Sequence, residues 1–284
     1  MAFVEWAARP LADGPHLIDR LPLDPLHPLL HGSLAIALEV QDGHIARCRF
    51  DVHANHRGDE KLLEVRTYPQ GLALVNRHGW LTAPFAETLY ARIIESALGL
   101  TISERAGALR DLSLALNRAA VECYWEHLEA SLTGAQNDAL PRREGWLGEL
   151  ETLTGARMHV TYVRVGGVAA DVSDEQLQRL AGAGDPGVAA AALHAAAAQG
   201  AISVPLPKVL RLPEGDAYDE IGTPHGVLGM WVISRGDKVP HRVHLRTAGF
   251  AALAELERRA VGMTPEALLL ELARTRCTLG EVSR

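Results

Sequence analysis

The chain has 284 residues, of which 48% are hydrophobic and 22% charged, and its formal net charge is −7. This composition supports one large or two modest packed domains and excludes global disorder. The acidic balance and scattered basic residues exclude a nucleic-acid-binding surface, which requires a basic stripe. Cys48, Cys123 and Cys277 are far apart and form no CxxC pair. The sequence therefore predicts neither a disulfide framework nor a cysteine site for zinc or an iron–sulfur cluster.

The apolar residues are distributed as in a protein that does not enter the membrane by itself. Residues 1–20 mix acids, prolines and apolar residues, without the apolar run of a signal peptide. No stretch approaches the ~20 apolar residues that cross a bilayer. Together with the sparse cysteines, this pattern predicts a reducing, cytoplasmic location, with membrane contact made only through partners.

The first predicted elements form a β-hairpin. Residues 34–40 and 45–52 alternate with a period of two, and Asp42-Gly43 supplies the turn between them. Three helices follow. The first begins at Pro84 and ends at Gly99, and the second is opened by a capping-box pattern at residues 101–104 and runs to about Leu132. The third covers residues 142–153.

The second half is predicted to mix short helices and strands. Helices are expected at residues 174–180, 189–198 and 264–274. Strands are expected at residues 218–221, 227–234 and 242–245. The prediction is an α+β protein with a helical core, an N-terminal β-hairpin and a small C-terminal sheet.

Two patterns suggest ligand sites, but simpler interpretations are favoured. Residues 182–187 match GxGxxG, yet no strand precedes them and Pro186 intrudes, so a linker is favoured over a nucleotide site. Three histidine pairs have spacings that suit a metal. They lie in predicted loops or strands without cysteine or carboxylate neighbours, so a metal site is not favoured. These pairs are His27 and His31, His53 and His56, and His241 and His244.

Two polar clusters remain open to more than one interpretation. The charged residues 57–61 follow a strand, and physical reasoning alone favours a solvated turn there. His159, Tyr162 and Arg164 precede Gly166-Gly167 and are predicted to share one face of a short strand. That face is either solvated or directed at a charged cofactor.

Several motifs, in order, resemble the D subunit of the proton-pumping NADH-quinone oxidoreductase, respiratory complex I. The motif-bearing segments are His27-Pro-Leu-Leu-His31-Gly32, His56-Arg-Gly-Asp-Glu-Lys-Leu62, Arg66-Thr-Tyr68-x-Gln70, Glu104-Arg-Ala106, Leu116-Asn-Arg118, Thr154-Gly-Ala-Arg-Met-His159, Tyr162-Val-Arg164-x-Gly-Gly-Val168, Gly226-x-x-Gly229, Ser234 and Gly280-Glu-Val-x-Arg284. The resemblance covers residues 26–172 and 213–284. It implies a hydrogenase large-subunit-like helical bundle.

The resemblance also suggests how the chain is organised. Residues 1–25 are interpreted as an N-terminal extension, and residues 26–284 as a single domain. A shortened, Gly/Ala-rich connection is expected at about residues 173–212, with residues 181–208 replacing a longer segment of the family. Part of the family's helical bundle is therefore expected to be missing.

The resemblance implies a place in electron transfer. The D subunit of the family docks on a small B-type subunit that holds a [4Fe-4S] cluster, and the quinone headgroup binds between them. His31 matches the hairpin histidine that hydrogen-bonds the quinone. Arg57 and His159 match the arginine and histidine beside the cluster. A cation stabilises a reduced cluster and an imidazole takes up a proton in step, so these residue types suit the task.

Two positions depart from the family pattern. Trp80 stands where the family has a quinone-binding tyrosine, and an indole N–H donates one hydrogen bond but does not transfer a proton as a phenol does. Leu132 stands where an aspartate pairs with the hairpin histidine. An alignment with a short gap offers Glu129 as the carboxylate instead.

The leading hypothesis is a peripheral subunit on the inner, cytoplasmic face of the membrane that passes electrons from a partner's cluster to quinone. The chain itself is expected to hold no cofactor and no NADH site. The alternative is a catalytically degenerate paralogue that acts as a scaffold or assembly protein. Hydrogenase activity, known for relatives with the same fold, is excluded because the two cysteine pairs that hold nickel are missing.

Overall fold

The structure is a computed structural model that describes residues 34–52 and 56–282. These residues divide into two compact units. Unit 1 comprises the residues up to Arg57, the segment Trp125–Asn137 and the residues from Thr247 onward. Unit 2 comprises Gly58–Tyr124 and Asp138–Arg246. The sequence-based assignment of residues 26–284 to one domain stays a prediction.

The elements alternate between small antiparallel sheets and helices. The first group is β1 (Ala35–Gln41), β2 (His44–Asp51), α1 (Asp59–Glu64), α2 (Tyr68–His78), a 3-10 turn (Trp80–Thr82) and α3 (Ala83–Leu98). The second is α4 (Glu104–Thr133), α5 (Ala139–Thr154), β3 (Val163–Arg164), β4 (Gly167–Val168), α6 (Asp174–Ala181) and α7 (Pro186–Ala197). The third is β5 (Gly215–Thr223), β6 (Gly226–Ser234), β7 (Arg242–Arg246), α8 (Ala248–Arg259), α9 (Pro265–Thr275) and α10 (Leu279–Val282).

The predicted α+β class, with a helical core, an N-terminal hairpin and a small C-terminal sheet, is confirmed. One capping residue was assigned wrongly. The long helix α4 is capped by Ser103, whose hydroxyl accepts the N–H of Ala106 at 3.0 Å, and not by Thr101. The hydroxyl that directly precedes the first helical residue is the one that reaches the unpaired N–H groups of the first turn.

Four helices of the described residues are absent from the sequence-based prediction, namely α1, α2, α8 and α10. For α2 a local signal is present. Thr67 and Gln70 form a reciprocal capping box, and Pro69 lies in the first turn. These signals lie inside the family motif at residues 66–70 and are sufficient by themselves to indicate a helix start.

Unit 1 is built around the hairpin of β1 and β2, which pair in an antiparallel register from Ala35↔Asp51 to Gln41↔His44. Ile45 exchanges backbone hydrogen bonds with the loop after α8, through Met263 O and Gly262 N, each at 2.8 Å. Glu257 of α8 accepts the backbone N–H of Phe50 at 3.2 Å. These bonds fix the hairpin to the C-terminal helices of the same unit.

Unit 2 has two hydrophobic clusters. One joins α4 and α5 with α6 and α7 through small and aliphatic residues such as Leu112, Leu150, Leu180 and Ala192. The other packs α2 and α3 against the inner face of the sheet β5-β6-β7, where Met230 and Val243 are fully buried. The segment between α5 and α6, which carries the motif at residues 159–168, contributes residues to both clusters.

The outer edge of β7 is covered by two glutamates of α1. Glu60 Oε1 accepts the backbone N–H of Leu245 at 2.8 Å, and Glu64 Oε1 accepts that of Val243 at 3.2 Å. Unpaired N–H groups on an edge strand invite pairing with other chains, and acceptor side chains prevent this. The charged cluster at residues 57–61, predicted to be a solvated turn, is therefore partly a structural helix.

Candidate redox site

The predicted site residues fall in different parts of the chain. His31 lies outside the described residues. Arg57 is exposed at the end of its segment in unit 1. Glu129 is in unit 1 on α4, where its Oε1 accepts a hydrogen bond from Arg274 Nε at 3.0 Å. The carboxylate of Glu129 thus has a cationic partner of its own within that unit. Trp80 and His159 belong to unit 2.

Trp80 and His159 line the same cleft of unit 2. The other lining residues are Leu81, Ala83, Pro84, Asn117, Ala120, Val121, Arg143, Leu147, Leu150, Arg157, Met158 and Val160. The cavity volume is about 20 Å³, which is room for about one water molecule. The structure therefore brings together two of the motifs that the sequence pattern indicated. The cleft that they line is too narrow to hold a ring-shaped ligand without a contribution from another chain.

Trp80, which lines the cleft, packs against an aromatic ring that does not line it and that the sequence pattern did not indicate. The indole of Trp80 meets the ring of Tyr124 in a T-shaped arrangement with centroids 6.5 Å apart. The guanidinium of Arg143 lies 5.5 Å from the centroid of the Tyr124 ring. Burial raises the pKa of Tyr124, and the nearby charge of Arg143 opposes this rise. A phenol and a cation thus stand beside Trp80.

Asn117 lies on α4 in the floor of the cleft. Its Nδ2 donates to Leu81 O at 3.0 Å and fixes the 3-10 turn that carries Trp80. Its Oδ1 is buried and makes no hydrogen bond. A buried acceptor of this kind calls for a donor, and a water in the cleft meets that need.

His159 has an unusual backbone conformation, with φ of 51°. Residues other than glycine rarely adopt positive φ, and the strain of about 1 kcal/mol or more persists only where the surroundings enforce it. The prediction that His159, Tyr162 and Arg164 share one strand face is wrong. The strand is limited to Val163–Arg164, Tyr162 is buried and Arg164 is exposed. The left-handed residue at 159 interrupts the alternation that the prediction assumed.

Two side chains hold the backbone that follows His159. Asn76 Nδ2 donates to Val160 O at 2.5 Å and to Glu87 Oε1 at 2.8 Å. Glu87 Oε2 accepts the backbone N–H groups of Tyr162 and Val163 at 3.2 and 3.1 Å. The segment after the histidine is therefore tied to α2 and α3 through these two side chains.

A second buried carboxylate of α3 fixes the glycine turn of the same motif. Glu95 Oε1 accepts the N–H of Gly166 at 2.6 Å, and Arg110, which pairs with Glu95, donates to Gly167 O at 3.1 Å. Gly167 has φ of 155°, and a Cβ there would collide with the backbone of Ile202. The close approach of another backbone explains why the motif requires glycine at this position.

A buried aspartate–histidine pair lies just before Trp80 in the chain. Asp59 Oδ2 and His78 Nδ1 are 3.0 Å apart, and the two residues are 9% and 2% exposed. Asp59 is in the first turn of α1 and His78 in the last turn of α2. A carboxylate in the first turn of a helix is favoured by the partial positive charge of the helix N-terminus. His78 Nε2 is buried without a hydrogen-bond partner.

Within residues 34–52 and 56–282, no group of three or more histidine, cysteine and carboxylate side chains is arranged to hold a metal ion. Of the histidines in the predicted pairs, His244 lies 3.1 Å from Glu60, while His27, His31 and His53 fall outside the described residues. Burial raises the pKa of the thiols of Cys48 and Cys277, which disfavours the thiolate form that binds metals.

No helix of the described segments combines the length and the apolar content that a membrane crossing requires.

Comparison with known proteins supports the resemblance that the motifs predicted. Residues 134–185 and 203–284 match the family model of the respiratory-chain NADH dehydrogenase 49 kDa subunit. The D subunit (number 1) of NADH-quinone oxidoreductase from Salinispora tropica is 39% identical over 163 residues, which are 56% of this chain and 37% of that protein. The D subunit of the same enzyme from Mycolicibacterium gilvum is 38% identical over 168 residues, 56% of this chain and 36% of that protein. The matches thus span well under half the length of these curated relatives.

A solved structure shows the same fold over nearly the whole chain. It belongs to the membrane-bound sulfane sulfur reductase, an archaeal respiratory membrane complex. The TM-score is 0.82 at 20% sequence identity, and the match covers 92% of this chain and 97% of the other. The gap between the two parts matched by the family model, residues 186–202, contains helix α7. It falls within the region where a replaced segment was predicted.

Proposed function

Because the chain is related to the D subunit of NADH-quinone oxidoreductase, as its motifs predicted, we propose that it is a component of a complex I-like respiratory assembly. In this role it docks on a small subunit that holds a [4Fe-4S] cluster and contributes to the site where electrons pass to quinone. The observation that carries the proposal is the convergence of Trp80 and His159 on one cleft, with His159 held in a strained backbone conformation.

The small volume of the cleft bears on how a quinone would bind. About 20 Å³ accommodates a water molecule and not a quinone ring. The headgroup therefore needs a site completed by the iron–sulfur subunit, with the cleft of this chain as one wall. This fits the expectation that the chain acts only within an assembly, peripheral to the inner face of the membrane, and touches the membrane through its partners.

Quinone reduction needs electrons, protons and a binding pocket, and the candidate residues of both units suit different parts of this task. A quinone takes up two electrons, supplied by the partner's cluster, and two protons to become a quinol. His159 carries an imidazole suited to proton uptake beside a cluster, and Arg57 adds the cationic charge that stabilises its reduced form. Trp80 lines the pocket without transferring a proton. Tyr124 packs against the indole of Trp80 and supports its position. His31 is assigned to the quinone headgroup on the resemblance alone.

The proposal is tested by purifying the tagged chain from its own membranes and recording iron–sulfur EPR spectra of the eluate. We expect a small cluster-bearing subunit to co-purify, and the pH dependence of the cluster midpoint potential to weaken in His159→Asn. The exposed His241 provides the matched control His241→Asn, which should leave the potential unchanged. His31→Ala should abolish quinone reduction by the assembly.

The alternative function is a scaffold or assembly protein that has lost quinone chemistry. Trp80 in place of a phenol and the narrow cleft favour it. This alternative predicts that the chain co-purifies with partners but that quinone reduction persists in His31→Ala, or that no cluster signal accompanies the eluate. Either result would support a structural role for this chain and argue against a role in electron transfer.

A further inference from the structure

Glu87 and Asn76 connect two sequence motifs through hydrogen bonds that span 75 to 84 residues. Asn76 immediately precedes Arg77-His-Gly-Trp80, and Arg77 Nη1 donates to Asn76 Oδ1 at 2.8 Å. Through its Nδ2, Asn76 reaches both Glu87 Oε1 and Val160 O. The network therefore runs from the motif that carries Trp80 to the segment that begins directly after His159.

The carboxylate of Glu87 is fully buried, with 0% exposure, and supplies acceptors that this segment needs. The backbone N–H groups of Tyr162 and Val163 both donate to its Oε2. A buried N–H group without an acceptor is costly, so these two bonds decide the path of the backbone after His159. Adding a proton to the carboxylate removes its negative charge and weakens it as an acceptor for both N–H groups.

Few charges face Glu87 from the elements packed on it. Arg164, of the segment that Glu87 binds, favours the ionised carboxylate. Arg77 of α2 faces it through Asn76. Burial nevertheless outweighs the hydrogen bonds from Asn76, Val163 and Tyr162 and raises the pKa of Glu87 to about 7. The protonation state of this group thus changes within the physiological range.

We propose that Glu87, together with Asn76, is a positioning residue for His159, and that proton binding at Glu87 alters the backbone at residues 160–163 and hence the placement of the imidazole in the cleft. The ionised carboxylate holds both N–H groups and enforces the left-handed conformation of His159. The protonated carboxyl holds them less firmly and relaxes it. Proton binding at Glu87 and the position of the His159 imidazole are in this way linked.

The catalytic meaning of this link rests on the proposed function, but the link itself is measured on the full-length chain alone. The experiment is a pH titration from about 5.5 to about 8.5 of the backbone amide signals of Tyr162 and Val163 and of the His159 ring signals, by NMR on isotope-labelled protein. In the wild-type chain, both amide signals and the His159 ring should shift together with a midpoint near pH 7.

The variant Glu87→Gln should abolish this shared transition. Tyr90→Phe is the matched control, because Tyr90 carries a buried polar group on the same helix that makes no hydrogen bond. The control should preserve the transition at residues 162 and 163. Equal loss in both variants would reduce the role of Glu87 to general stability and overturn the proposal.

The wild-type titration by itself can overturn the proposal even if neither variant folds. Amide signals of Tyr162 and Val163 that stay constant across the pH range would refute proton-linked positioning. If the transition is present but the assembly purified from membranes does not reduce quinone, the positioning stands and the proposed function fails. If the assembly reduces quinone but the transition at Tyr162 and Val163 is absent, the proposed function stands and the proton-linked positioning fails.

Discussion

Arg110 and Glu95 form a bidentate ion pair in the interior of unit 2, with Nη1–Oε2 and Nη2–Oε1 distances of 2.9 and 2.6 Å. Arg110 also donates to Arg164 O at 2.9 Å, and Glu95 accepts the Gly166 N–H. Both partners of the pair thus hold the glycine turn after the His159 segment. Removing one partner leaves a buried charge without compensation.

We therefore predict that Arg110→Met lowers the free energy of unfolding by about 3–5 kcal/mol, the usual result of breaking a buried pair from one side. Denaturant unfolding measures this loss. Arg258→Met is the control, because Arg258 pairs with Glu255 on the surface, where the effect should stay within about 0.5 kcal/mol. A similar decrease in the free energy of unfolding in both variants would show that the buried ion pair contributes no more to stability than the surface pair.

The raised pKa of Glu87 predicts how stability depends on pH. The folded-state value is about 7 and the ordinary value is 4.5. Between these values the folded chain keeps a proton that the unfolded chain releases, so stability falls as pH rises through this window. The contribution of Glu87 is at most about 3 kcal/mol. Unfolding at a series of pH values should show a slope that is smaller in Glu87→Gln, and an unchanged slope would contradict the assignment.

The Asp59–His78 pair predicts a compensating double substitution. His78→Leu alone leaves the buried Asp59 without the imidazole and should destabilise the chain by about 1–3 kcal/mol. Replacing both residues by apolar side chains, in Asp59→Leu with His78→Leu, removes the polar groups together and should recover most of that loss. The pair is assessed by a double-mutant cycle on the free energy of unfolding. A double variant as unstable as the sum of the two single ones would mean that the residues act independently.

The close contact between Gly71 and Tyr90 predicts that removing the Tyr90 hydroxyl partly offsets the effect of a substitution at Gly71. A Cβ at position 71 would collide with the hydroxyl of Tyr90, which is buried and makes no hydrogen bond. Gly71→Ala should therefore destabilise the chain by about 1–3 kcal/mol. Tyr90→Phe removes the colliding oxygen and should be close to neutral by itself. The ring carbon that carries the hydroxyl would still lie 2.7 Å from the new Cβ, so the combination with Gly71→Ala should recover only part of the lost melting temperature. A double variant that melts no higher than Gly71→Ala would show that the Tyr90 hydroxyl is not the cause of the loss.

The left-handed backbone of His159 predicts a ranking of substitutions. Asparagine and glycine tolerate positive φ, whereas a β-branched residue does not. His159→Asn should keep the stability of the chain within about 0.5 kcal/mol, and His159→Val should lower it by about 1–3 kcal/mol. Thermal unfolding compares the two variants directly. If valine is tolerated as well as asparagine, the backbone at residue 159 is not under the constraint that the structure shows.

The elements of this fold followed from local sequence wherever a cap or a periodic pattern was present. The helices that end at Gly99 and Gly155, the hairpin turn at Asp42-Gly43 and the strands of the C-terminal sheet were all predicted within a few residues. Such signals act over four or five residues, so they can be recognised without the rest of the chain. The order of the motifs along the chain likewise indicated the resemblance to the D subunit.

The arrangement of the candidate site could not be predicted from local sequence signals. The sequence marked Trp80 and His159, but nothing local indicated that Tyr124 and Arg143 stand beside Trp80 or that Glu87 binds residues 162 and 163. A glutamate in the middle of an amphipathic helix has the same appearance in sequence whether it is solvated or buried. Only the packing of α3 against a distant segment distinguishes the two cases.

The sequence by itself determined most of the helices and strands, the family resemblance and the residue types available for redox chemistry, because these depend on short-range spacing and on motif order. The tertiary structure decided which of those residues meet. It brought Trp80 and His159 to one cleft, reversed the expected exposure of Tyr162 and buried the carboxylates of Glu87 and Glu95 against the glycine motif. The physical reason is that burial and hydrogen bonding depend on contacts between residues about 70 or more positions apart, whose free energies no local pattern records.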